Sequence, residues 1–139
     1  MPGLVWSPQE IQALLRWIAE NNRQTTWNRQ DSLRGVQNAL IPYNPVYFHG
    51  TSGIQRIRSK LVNLYKAYVN CYEAVTPIGA SRSSTCVNPQ KVNQFRWFRL
   101  CQQVFGPVCP LHIILVSRNR YAIGHGRTAT LLIVQQQDN

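Results

Sequence analysis

Ile54, Ile57, Leu61, Leu64 and Tyr68 recur at steps of three and four residues, and only a helix places such a set on one side. A strand, with its two-residue period, would scatter them over both faces. The stripe therefore predicts a long helix over residues 51–73, with Thr51 or Ser52 as its cap. Its other side carries Gln55, Ser59, Val62, Asn63 and Lys66, with Arg56, Arg58 and Lys60 toward the flanks. No carboxylate occurs between Asp31 and Glu73. A helix that is merely solvated usually mixes charge signs to form pairs one turn apart. This one presents small, amide and basic side chains, a surface suited to phosphates and base edges.

The flanking segments read as further helices. Ser7-Pro8-Gln9-Glu10 supplies an N-cap serine, a proline at the first helical position and a glutamate at the third, which is a capping box. Ile11, Leu14, Leu15 and Ile18 then line one face, and Asn21-Asn22 ends that helix. A second helix is expected over 31–40, capped by Thr26 or Asp31, with Leu33, Val36 and Leu40 inward and Pro42 and Pro45 closing it. Tyr43–Gly50 reads as a loop whose aromatics pack back on the core. Thr76–Asn88 is small and polar without periodicity, and is expected to be a linker. Asn88-Pro89 opens a fourth helix over 89–105, which Gly106-Pro107 stops. Ile113–Val116 and Thr130–Val134 read as two short strands of a hairpin-like tail. The expected fold class is thus all-α: a three-helix helix-turn-helix bundle with an added fourth helix over 1–106, and a β-hairpin-like extension over 107–139.

Fifteen Lys and Arg oppose five Asp and Glu, a formal net charge of +10. A field of that sign attracts polyanions, nucleic acid first and anionic membrane second. The plainer reading of the same charge is a basic surface that serves solubility. Met1–Trp6 does not resemble a signal peptide, and the longest apolar runs are far too short to cross a bilayer. The four cysteines lack paired metal-type spacing and suggest free thiols inside the cell. Cys109-Pro110-Leu111-His112 looks like half of a zinc site, with Cys101 and His125 conceivable as the other ligands, but it matches no common zinc spacing. Carboxylates are few and scattered, and Gly124–Arg127 lacks the strand-to-helix setting of a phosphate loop, so no enzyme is expected. Neither a cofactor, a small-molecule substrate nor a membrane is expected as a partner.

Three segments in order resemble a known family. Trp6-Ser7-Pro8-Gln9-Glu10 looks like the opening W-[ST]-x-x-E of Myb/SANT-like DNA-binding domains, specifically the trihelix or MADF-like type with a fourth helix. Ile57 to Tyr68 is similar to that family's third-helix pattern C-R-x-K-[WIL]-x-x-L-x-x-x-Y, and Trp97-Phe98 through Val104-Phe105-Gly106 resembles its aromatic fourth helix. Leu61 stands where tryptophan is commonest in the family, and residues 107–139 have no counterpart. The resemblance implies a nuclear transcriptional or chromatin regulator that lays the helix over 51–73 in the major groove of double-stranded DNA.

Under that expectation Gln55, Arg58, Ser59, Val62 and Asn63 contact bases: Arg58 pairs with guanine, Gln55 or Asn63 with adenine, and Val62 touches a thymine methyl. Arg56, Lys60 and Lys66 hold phosphates. Two other readings compete. A SANT-like fold can bind chromatin proteins instead, and the apolar tail can pair between two chains to make a homodimer.

Overall fold

Helix α1, Pro8–Glu20, starts at the capping box encoded in the sequence. Ser7 Oγ accepts from the Glu10 amide at 3.2 Å, and Glu10 Oε1 accepts from the Ser7 amide at 2.7 Å. The computed structural model describes residues 6–75, 84–113 and 116. After α1 come α2 (Gln30–Leu40), α3 (Pro45–Phe48), α4 (Gly50–Val69), β1 (Tyr72–Val75), β2 (Ser84–Val87), α5 (Pro89–Gln94) and α6 (Phe98–Phe105). Residues 110–113 and 116 are helical again. The described chain is mainly helical with one small two-stranded antiparallel sheet. It divides into two compact units, Met1–Leu61 and Val62–Asn139.

In the first unit the expected stripes form the core. Leu14, Leu15 and Ile18 of α1, Leu33, Val36 and Leu40 of α2, and Ile57 and Leu61 of α4 are all fully buried. Each such side chain stabilises the fold by about 1.5–3 kcal/mol relative to exposure. Trp27 is buried ahead of α2, while Trp6 is only half-buried. Gly35 explains itself here: a Cβ at that position would meet Trp17 Cζ2 at 2.2 Å, so the indole lies directly against the backbone of α2. Tyr43–Gly50 is not all loop, because Asn44 caps the single turn α3 by accepting from the Tyr47 amide at 3.3 Å. Gln37 Nε2 ties α2 to the next turn, donating to the carbonyls of Phe48 at 2.7 Å and Gly50 at 2.9 Å.

The second unit departs further from expectation. α4 ends at Val69 rather than 73, and Tyr72 and Glu73 belong to β1. β1 pairs with β2 in the register Tyr72↔Val87, Glu73↔Cys86, Ala74↔Thr85 and Val75↔Ser84. So Ser84–Val87, expected as linker, is strand; its partner lies some twelve residues earlier, where no local period reveals it. The fourth helix is two. Phe95, at φ −106° and ψ 98°, breaks α5 from α6, in a stretch (Phe95-Arg96-Trp97-Phe98) whose aromatics are weak helix formers. Ile113 and Val116 are helical, which corrects the first expected tail strand: a short apolar run cannot by itself distinguish a strand from a buried helix. The second, Thr130–Val134, lies outside the described residues.

This unit is organised around Tyr68, whose ring packs tilted against Phe98 at 5.4 Å and Phe105 at 5.9 Å between centroids. Its hydroxyl donates to the Gly106 carbonyl and lies 3.0 Å from the Tyr72 hydroxyl. Gly106, at φ +71°, ends α6 in a conformation that side chains disfavour. Asn88 does two jobs. Its Oδ1 accepts from the amides of Gln90 and Lys91 to cap α5, and its Nδ2 donates to Glu73 Oε1 at 2.7 Å.

Candidate nucleic-acid interface

The part of α4 in the first unit is held at its N-terminal end by a cluster of rings. Trp6 meets Phe48 edge-on at 4.9 Å and Tyr47 at 6.0 Å, and Tyr47 meets Phe48 at 5.0 Å. Two of the expected phosphate ligands stand on this cluster. Arg56 lies 4.7 Å over the Tyr47 ring and donates from Nη1 to the Tyr47 carbonyl at 2.7 Å. Lys60, one turn on, lies 5.9 Å from the centre of the Trp6 ring. Both are half-buried. Each cation is thus held to an aromatic face, an attraction worth about 0.5–1 kcal/mol where water still has access. Sequence reasoning expected the aromatics of 43–50 to pack inward; it gave no sign that they would seat Arg56 and Lys60.

Gln55 and Ser59 are exposed on the same stretch, a turn apart, as expected of the outward face. Arg58 is half-buried on the flank away from Arg56 and Lys60. Among the described residues it has no ion pair and no hydrogen bond from its side chain. The arrangement is a strip of short polar side chains between two cationic borders. Arg56 spends one of its five N–H donors on the Tyr47 carbonyl, and no other hydrogen bond from its side chain is found among the described residues. Gly53, at the first turn, is required by close approach: a Cβ there would meet the Phe48 carbonyl oxygen at 2.1 Å.

Val62, Asn63 and Lys66 belong to the second unit. Asn63 is exposed and Lys66 half-buried, with burial holding the Lys66 ammonium below its ordinary pKa. Val62 corrects the expectation. At 8% exposure it belongs to the apolar side of α4 and not to the outward face expected of it. The apolar face of the helix widens after Leu61, where Val62, Tyr65 and Val69 join the original stripe. The simple five-residue stripe did not contain that widening.

Other expected chemistry is also placed. His112 Nδ1 lies 2.7 Å from the Tyr65 hydroxyl, and burial pushes the His112 pKa down and that of Tyr65 up. Cys101 is fully buried, with its thiol pushed far up by desolvation, while Cys109 is exposed; His125 lies outside the described residues. Among the described residues no three His, Cys, Asp or Glu side chains are grouped to hold a metal ion. No helix of those residues is long and apolar enough to cross a membrane. A single salt bridge is found among them, Arg23 to Asp31 at 2.9 Å. Comparison of the chain with protein-family models, with curated proteins and with solved structures gave no match.

Proposed function

We propose that this protein binds double-stranded DNA through α4, as a nuclear transcriptional or chromatin regulator of Myb/SANT-like type. In this reading α1, α2 and α4 make up the helix-turn-helix set, and α4 is the helix that enters the major groove. The observation that carries it is the strip on α4: exposed Gln55 and Ser59 bordered by Arg58 on one side and by ring-seated Arg56 and Lys60 on the other. Cations positioned before binding lose less side-chain freedom when they meet a phosphate. Short polar side chains between them let the helix approach base edges closely. The charge of +10 supports the same partner.

Arg58, Asn63 and Gln55 are the proposed base readers, while Arg56, Lys60 and Lys66 are the proposed phosphate holders. The test is a comparison of full-length variants on a selected duplex and on random duplexes. Arg58→Ala or Asn63→Ala should cost about 1–3 kcal/mol on the selected site and little on random DNA. Lys66→Ala should weaken all duplexes alike and lower the salt slope by about one unit. Variants that all bind as the native protein does would move the reading toward a protein-interaction module.

A further inference from the structure

The second unit has a charge pattern of its own. Between Glu73 and Asp138 the sequence contains no carboxylate. Glu73 itself is engaged by Asn88 Nδ2. Against that background Arg96, in the turn between α5 and α6, and Arg99, in the first turn of α6, are both exposed, and Lys91 is half-buried in α5. Arg96 is held in place, its guanidinium carbon 4.9 Å from the centre of the Trp97 ring. Phe98, Cys101, Val104 and Phe105 form the buried side of α6. Arg99 therefore shares the opposite side with exposed Gln103, one turn further on.

We infer that this α5–α6 face is a second nucleic-acid contact, one that grips backbone phosphates through Arg96 and Arg99 without reading sequence. The inference rests on the proposed function only in taking nucleic acid as the partner, and uses no residue of α4. Its chemistry is direct. A guanidinium held over an indole loses less freedom on binding, and its fork of N–H groups matches two phosphate oxygens. Basic side chains in a stretch of sequence that holds no carboxylate present a field of one sign, which a polyanion complements. A membrane surface fits less well. A helix that lies on lipid sinks large apolar side chains, whereas the exposed side of α6 is Arg99, Gln102 and Gln103.

The test uses the full chain carrying R96A/R99A, with fluorescence anisotropy on random-sequence duplex between about 50 and 200 mM salt. The slope of log affinity against log salt should fall by about 1.8, the share of two phosphate contacts. The loss should be alike for every sequence, R96K/R99K should restore the slope but only part of the affinity, since lysine keeps the charge and lacks the fork, and Arg34→Ala on α2 should leave the slope unchanged. An unchanged slope in R96A/R99A overturns the proposal. So does a loss seen only with phosphatidylserine vesicles, which would assign the face to a membrane. The two readings fail separately. If Arg58→Ala and Lys60→Ala leave duplex binding intact while R96A/R99A weakens it, α4 is not the contact and this face is. If the native chain binds no duplex even at the lowest salt, both are overturned.

Discussion

Replacing Gly35 by alanine sets two known effects against each other. In the interior of α2, alanine is favoured over glycine by about 1 kcal/mol. The added methyl, however, would lie 2.2 Å from Trp17 Cζ2 and 2.3 Å from Cη2, where carbon atoms ordinarily rest about 3.5–4.0 Å apart. The half-buried indole must swing off α2 and give up its contacts there, and overpacking of this kind costs about 1–3 kcal/mol. The net expectation is a loss of about 1 kcal/mol. Urea unfolding followed by circular dichroism, on native chain, Gly35→Ala, Trp17→Ala and the double variant, reads it directly. Without the indole, Gly35→Ala should become stabilising by about 1 kcal/mol, so the sign reverses between backgrounds. If alanine stabilises both backgrounds equally, α1 and α2 do not approach each other as described.

Ser32 Oγ is buried with no hydrogen-bond partner among the described residues, so Ser32→Ala should raise stability by about 1 kcal/mol, read as a higher urea midpoint. Tyr68→Phe strips the Gly106 carbonyl of its donor and should cost about 1–3 kcal/mol in the same assay. Hydrogen bonding from Arg23 holds the Asp31 carboxyl below its ordinary pKa of 3.8. The pair's stabilisation is therefore present above that pH and lost as pH falls through the lower folded value, a small slope that Asp31→Asn should remove. Burial holds His112 below 6.5, so the unfolded chain takes up a proton that the folded chain refuses. Stability should rise with pH up to about 6.5 and then level off, and His112→Asn should flatten that rise.

What the sequence made legible was whatever local chemistry decides. Ser7 and Glu10 cap α1 because the capping box is complete within four residues, and Leu61 is buried because its stripe is long enough to fix the helix phase. Gln55 and Ser59 are outward for the same reason. What stayed hidden depends on partners distant in the chain. Thr85 and Val87 are strand only because Ala74 and Tyr72 face them. Val62 looked outward on a stripe drawn through five residues, yet the core of the second unit covers a wider arc of α4 and takes it in. The seating of Lys60 on Trp6 joins residues more than fifty positions apart. No single-helix pattern could have contained it.

Ser59 offers the most direct test of α4 as the DNA surface. It is exposed in the middle of the proposed contact strip, between Arg58 and Lys60, so a charge placed there is solvated in the free protein. Ser59→Asp should leave the thermal midpoint close to the native value, since surface changes of this kind alter stability by about 0.5 kcal/mol or less. In the groove the same carboxylate would face phosphates and the acceptor edges of bases. The account predicts that duplex affinity, measured by anisotropy at fixed salt, falls by at least about tenfold, which corresponds to about 1.4 kcal/mol. Native affinity in a fully folded Ser59→Asp protein would contradict it.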